Sequence, residues 1–424
     1  MKLSAIDKYK GRYHFSVNFY SLFLIATFIP DVAGINVGLI KYSYWFVKVL
    51  LACMIIYDDK RPIFNINRLE LGYYLLVFIY AVILFIDVFI APEPTLARSE
   101  DFYLSSVTDF VGFILGVIIA LSFRYDPVYH SERSFFFFWV SLTIALVISY
   151  FLAHEAFDLD VTNGRYDANS TINSIMYGQT GCAMALISIL GMVNNKKNLW
   201  RALFAFTFLL GLISIGKAGS RSPIIVLAVV TIFYFIARVG IYKSLLILLG
   251  VASLIVVFIN QIIAFLESIG SSLTARLSSM IFDNDSSGRD GIYANAWSLI
   301  KESPIVGSYY VIRNGVGAGG YPHNFLLEVF LATGLVGGIP FVVLLFISIY
   351  RSFKIIKRRH EASWIVVLYL QIVVYGMFST GLYTSQDFWV LLFFVVSANK
   401  AIFSVSGKEL KVQMATPGPS PLLN

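Results

Sequence analysis

Three short stretches gather residue types that can do chemistry. The first, "GKAGSRSPIIVL" at 216–227, sets Lys217 and Arg221 among glycine and serine between two apolar runs. Two cations separated by small residues suit a diphosphate, because the backbone can approach the anion and a guanidinium can grip two oxygens at once. The plainer alternative is that both side chains snorkel to lipid phosphates. The second stretch, "DNDSSGRDGIYANAWSLIKESPIVG" at 283–307, reads as a helix start. Ser286, Ser287 and Gly288 are cap candidates and Asp290 falls in the first turn. Arg289 therefore stands near a helix N-terminus, where the dipole already favours an anion. Trp297 and Ile300 are expected on the buried side of that helix, which "ESPIVG" ends through proline and glycine. The third stretch, "YPHNFLLEVFLATGLVGG" at 321–338, follows a glycine-rich approach read as flexible. It opens an apolar run with His323 and Asn324 behind Pro322 and carries Glu328 inside the run. A histidine can exchange a proton near neutral pH. A carboxylate in hydrocarbon is expensive unless partnered, so Glu328 calls for a neighbouring polar group or a role.

One metal signal overlaps the second stretch. Asp283 and Asp285 resemble the first half of a calcium loop, and the same Asp-Asn-Asp imitates the metal-holding pair of many sugar-nucleotide enzymes. Position twelve of a calcium loop would be Ala294 rather than a bidentate glutamate. No metal site is expected.

The elements that position these residues follow from composition. The 424 residues are 58% hydrophobic and 13% charged, and the mean hydropathy is +0.76. A chain of this length with so few charges is predicted to be an all-α polytopic membrane protein. Strand-like alternation is absent, which argues against a barrel. Apolar runs of spanning length predict about twelve transmembrane helices, near 16–33, 42–57, 70–90, 103–123, 134–153, 171–193, 199–216, 222–239, 243–266, 325–349, 363–383 and 386–404. In this organisation residues 1–266 carry nine spans, 267–324 form a large external loop with short helices, and 325–404 carry three more spans. Residues 405–424 read as a disordered cytoplasmic tail. Cys53 and Cys182 both fall inside apolar runs, so neither a disulfide framework nor a metal-type spacing is read from them. The basic start is followed by a first span, with no convincing cleavage site.

Orientation comes from lysine and arginine. With the N-terminus in the cytoplasm, Lys60, Arg61, Arg68, Arg124, Arg133, Lys196, Lys197, Arg201, Arg238, Lys243 and the run "RSFKIIKRRHEAS" at 351–363 all fall inside. This accounts for the +7 net charge without nucleic acid. The bias leaves Arg165, Lys217, Arg221, Arg276, Arg289, Lys301 and Arg313 on the disfavoured outer side, where they need another reason. His323 and His154 are the outer histidines; His14, His130 and His360 fall inside.

"GSRSP", then "SGRDGIYANAWSLIKESPIVG", then "HNFLLEVFLATGLVGG" resemble, in order and spacing, the family of O-antigen ligases and Wzy-type O-antigen polymerases. The resemblance covers about 216–340. It implies a C-type integral-membrane glycosyltransferase in the bacterial inner membrane that works on its periplasmic side, without metal or other cofactor. The implied donor is an undecaprenyl-diphosphate-linked oligosaccharide, transferred with inversion. Arg221 and Arg289 would hold the diphosphate and His323 would stand beside the acceptor hydroxyl. Lys217, Arg165, Tyr321, Asn324 and Glu328 would support substrate binding. The acceptor is a second lipid-linked repeat unit for a polymerase, towards which "YPHNFLLE" and "ESPIVGSYY" lean, or lipid A–core for a ligase. Membrane lipids and a chain-length regulator are the further partners implied. A lipid-linked glycan flippase is the reading from another functional class; it would not require an external Gly-Arg helix followed by His-Asn.

Overall fold

The computed structural model describes residues 37–58, 67–94, 96, 100–124, 131–155, 165–169, 172–282 and 288–398. Backbone groups in hydrocarbon must be satisfied within their own segment, and the apolar runs are accordingly helices. In chain order these are α1 (Val37–Asp58), α2 (Arg68–Phe85, continued by a π turn at Ile86–Ile90), α3 (Glu100–Ser122) and α4 (Glu132–Leu152). A two-stranded hairpin follows, β1 (His154–Glu155) with β2 (Tyr166–Asp167), antiparallel. Then come α5 (Ser174–Asn194), α6 (Asn198–Ala218), α7 (Ser222–Val239), α8 (Ile241–Val257), α9 (Ile259–Ser268) and α10 (Leu273–Phe282). The series ends with α11 (Arg289–Glu302), α12 (Phe325–Lys357), α13 (Ser363–Tyr375) and α14 (Gln386–Ser397).

Among the described residues, seven helices are long and apolar enough to cross a membrane, or eight if the bent pair α8–α9 is one span. The protein is thus an all-α polytopic membrane protein. The predicted spans at 70–90, 103–123, 134–153, 171–193, 199–216 and 222–239 each coincide with one of these helices. The predicted 243–266 span is broken, with α8 and α9 bent by 64° at Phe258. The 325–349 span runs on to Lys357. Predicted spans 42–57, 363–383 and 386–404 contain only shorter apolar helices, Ser43–Tyr57, Ser363–Tyr375 and Gln386–Ser397. The predicted span at 16–33 and the tail at 405–424 lie outside the described residues.

Why α13 stops early is visible in its bonds. The Gly376 carbonyl accepts from the Phe325 amide at 2.7 Å, and the chain then turns through Ser379, Gly381 and Thr384 instead of continuing the helix. Trp389 of α14 is buried behind this turn, donates from Nε1 to the Leu382 carbonyl at 2.9 Å, and packs edge-on against Phe113.

Two glycines fix the loop helix to the bundle. At Gly334 (φ 56°, ψ −148°) α12 is kinked, which frees backbone donors. The turn after α11 supplies their acceptors: Leu335 N–H donates to the Pro304 carbonyl at 2.8 Å and Val336 N–H to that of Ile305 at 3.1 Å. Ser308 N–H returns a bond to the Leu331 carbonyl at 2.7 Å. A Cβ on Gly334 would meet the Ile305 backbone at 2.5 Å, and one on Gly307 (φ 84°) would run into the Ala332–Thr333 backbone. Both the left-handed φ values and the close approach require glycine. Above this junction Ala296, Leu299 and Ile300 of α11 bury against Leu331, with Leu327 and Phe330 packed beside them. Ile300 is on the buried side as expected, but Trp297 is 53% exposed. The buried stripe runs through 296, 299 and 300, and Trp297 lies outside it, with the Lys301 ammonium 5.8 Å from its ring.

Candidate functional site

The N-terminus of α12 is built to present His323. Asn324 is the helix cap: its Oδ1 accepts from Leu326 N–H at 2.9 Å and Leu327 N–H at 3.1 Å, and its Nδ2 donates to the Met377 carbonyl at 3.2 Å. With the cap at Asn324, His323 lies just outside the helix and takes a left-handed backbone (φ 53°), one of two such non-glycine residues among those described. Histidine tolerates this region better than most residues, yet it is still a sparsely populated conformation of the kind held at functional sites. The ring stands edge-on to Tyr321, centroids 4.5 Å apart. Burial, and then the Arg289 charge, lower the His323 pKa below the ordinary histidine value, with a backbone contact to Ser379 opposing them. Both causes favour the neutral imidazole over the imidazolium. Its Nδ1 is buried with no hydrogen-bond partner among the described residues.

Arg289 opens α11 directly after Gly288, whose left-handed backbone (φ 73°) forms the cap position. Ser286 and Ser287, the other cap candidates, lie outside the described residues, as do Asp283 and Asp285. The Arg289 side chain makes no hydrogen bond or ion pair among the described residues, while its charge acts on Tyr293, Tyr321 and His323. Tyr321 has its phenol raised by burial first, then by Glu328, with Arg289 pulling it down. The approach "GVGAGGYPHN" is tied rather than loose. Asn295 of α11 donates from Nδ2 to the Asn314 carbonyl at 2.6 Å and the Val316 carbonyl at 3.0 Å, and Gly319 N–H returns to Ile312 at 2.8 Å. The α11–α12 docking thus sets Arg289 within electrostatic reach of His323, 34 positions on in sequence.

Four other cations that the sequence assigns to the outer side bond to the protein. Lys217 donates to the Tyr150 carbonyl at 3.0 Å and lies over the Tyr150 and Tyr166 rings at 4.6 and 5.1 Å. Arg165 donates to Ser174 Oγ at 2.6 Å. Arg313 pairs with Glu302. Arg221 precedes α7 and donates from Nη1 to the Arg276 carbonyl at 3.2 Å, which ties the α6–α7 junction to α10. The cation acting on His323 is Arg289; Arg221, Lys217 and Arg165 belong to the neighbouring α6–α7–α10 and hairpin region.

Beneath His323 is a buried polar layer that the sequence reading found only in part. Glu328, fully buried, accepts from Tyr80 Oη at 2.9 Å, Leu382 N–H at 2.7 Å and Tyr383 N–H at 3.0 Å. It thereby fixes the 376–385 turn, the same turn whose Gly376 and Met377 carbonyls hold Phe325 and Asn324. Asp87 and Asp109 were missed. Asp87 Oδ2 accepts from Tyr310 N–H at 2.8 Å and its carbonyl from Tyr309 Oη at 3.0 Å, which pins the loop to the end of α2. Asp109 lies within side-chain bonding reach of Tyr310. The available signal was an acid inside an otherwise apolar run, an expensive placement that marks a partnered or working residue.

A helical membrane bundle that holds an imidazole within electrostatic reach of a guanidinium with no bond among the described residues is suited to acid–base and anion chemistry at one end of its helices. A sequence model of the family described as O-antigen ligase matches residues 206–342. Over that segment the chain is similar to the O-antigen ligase family, as the motifs led us to expect. The matched segment contains Lys217, Arg221, Arg289, Tyr321, His323, Asn324 and Glu328 and leaves Arg165 outside. No curated protein matches the chain.

Proposed function

We propose that the protein transfers a glycan from an undecaprenyl-diphosphate-linked donor to the hydroxyl of a second lipid-linked repeat unit, on the periplasmic face of the bacterial inner membrane. The observation that carries this reading is the docking of α11 on α12, which sets Arg289, without a hydrogen bond or ion pair among the described residues, within electrostatic reach of His323. An acceptor hydroxyl oxygen attacks the anomeric carbon, its proton passes to His323, and the bond from that carbon to the diphosphate oxygen breaks. In-line displacement inverts the anomeric centre. Negative charge grows on the leaving diphosphate, where Arg289 and Arg221 receive it; donors placed in this way are worth about 10²–10³ in rate. Lys217 and Arg165 extend the positive field along the donor's approach. Tyr321, Asn324 and Glu328 hold the imidazole in place. The donor chemistry is organic and the arginines take the place of a cation, so no cofactor is required. The three shorter apolar helices add to the seven or eight long ones as passages, and the lysine and arginine bias places both termini in the cytoplasm.

The family's description as O-antigen ligase favours a second reading, with lipid A–core as the acceptor. Purified protein given the lipid-linked repeat alone separates the two. Polymer is the expected product; no polymer there, but glycan attached once lipid A–core is added, assigns the ligase reaction. A glycan transporter would give neither product.

A further inference from the structure

A cavity of about 630 Å³ opens between the end of α7, the start of α8 and the end of α12. These elements end together, so the cavity lies at the opposite end of the bundle from Arg221 and His323, which open α7 and α12. Arg238, Lys243, Lys357 and Arg359 line it, and no carboxylate is among its lining residues. Arg238 and Arg359 lie within electrostatic reach of one another. Like charges gathered without an acid repel, and the arrangement is relieved by an anion placed between them.

The backbone adds a second observation. At the end of α12, His360 N–H bonds the Ile355 carbonyl at 3.2 Å and Arg359 N–H that of Ile356 at 2.9 Å. This is the paired C-terminal bonding that places the residue after the helix in the left-handed region, a position glycine usually fills. Arg359 fills it here with φ 57°, whereas the facing turn after α7 uses Gly240 (φ 88°). A guanidinium stands at the cavity in spite of an unfavourable backbone. The third observation is the surface that continues from the cavity. Tyr242, Leu246 and Leu249, on one face of α8, are 83%, 69% and 64% exposed. A soluble anion has no use for such a wall; acyl chains do.

We propose that this cavity binds the phosphate-bearing headgroup of an anionic phospholipid, with its acyl chains lying along α8. On the orientation given above, this is a lipid of the cytoplasmic leaflet. The site is separate from the glycosyl-transfer reading and stands or falls without it.

The test uses the full-length protein in nanodiscs of phosphatidylcholine doped with phosphatidylglycerol, with retained lipid counted by native mass spectrometry. Arg238→Gln and Arg359→Gln should each lower phosphatidylglycerol retention about fivefold and leave phosphatidylcholine retention unchanged. Arg359→Gly guards against a folding artefact: it restores the residue the backbone prefers, so the melting temperature should hold or rise while phosphatidylglycerol is lost. Lys197→Gln, an exposed cation near the same end but outside the cavity, should change nothing. Equal phosphatidylglycerol retention in wild type and all three cavity variants overturns the proposal. So does displacement of phosphatidylglycerol by millimolar inorganic phosphate that itself binds tightly, which would make the cavity a site for a soluble anion.

Discussion

Lys217 and Arg289 are cations of the same matched domain, and their surroundings differ in kind. Lys217 is spent on the protein, with a carbonyl at 3.0 Å and two tyrosine faces around its ammonium. Arg289 has no bond to the protein among the described residues, yet the docking of α11 on α12 holds it where its charge reaches His323. Both positions looked alike as stranded positive charge. On the proposed reading, the cation left without a bond among the described residues contributes most to holding the diphosphate.

The comparison can be broken most forcefully at the imidazole. His323→Ala should lower turnover about 10²–10⁴-fold if the ring takes the acceptor proton. Lipid-linked donor should still bind, and a rate assay on purified protein with a donor-binding control checks both. Arg289→Ala should lower turnover about 10²–10³-fold, and Arg289→Lys should recover little of it, because a point charge lacks the forked contact. Next comes the scaffold. Gly334→Ala puts a Cβ against the Ile305 backbone at a left-handed φ and should destabilise the α11–α12 junction by about 1–3 kcal/mol, read as a lowered melting temperature with activity lost in parallel.

A smaller effect sharpens the link between the two residues. The His323 pKa is lowered, so the active neutral form persists below the usual histidine value near 6.5, and activity is lost as pH falls through that lowered value. Arg289→Gln removes one of the two causes, so the acid limb of the residual activity should move to higher pH while the burial contribution remains. The smallest effect is expected at the bonded cation. Lys217→Gln should reduce activity about fivefold at most, the scale of a partly exposed charge. A loss equal to that of Arg289 would erase the distinction drawn here.

Much of this was readable from residue types. The motif around Arg289, the His-Asn pair at 323–324 and the intramembrane Glu328 each stood out because charge or polarity is costly where the sequence put it. The helices at 70–239 were readable because hydropathy over spanning lengths reports burial in hydrocarbon directly. What stayed hidden depends on partners distant in sequence. The kink at Gly334 could not be read apart from Pro304 and Ile305, whose carbonyls receive the freed donors. Trp297 was placed on the wrong face because the burying face of α11 is chosen by Leu331, not by the largest apolar residue. Asp87 gains its meaning only from Tyr309 and Tyr310, more than 200 positions away.

Affinity for undecaprenyl diphosphate, the leaving group of the proposed reaction, tests the central claim most directly. It should be measured on purified wild type, Arg289→Gln and Arg313→Gln, the last removing a cation already paired with Glu302. A charge-assisted bond is worth about 1.5–3 kcal/mol, so Arg289→Gln should weaken binding about 10- to 150-fold while Arg313→Gln leaves it unchanged. Equal affinity in all three proteins would contradict the assignment of Arg289 to the diphosphate.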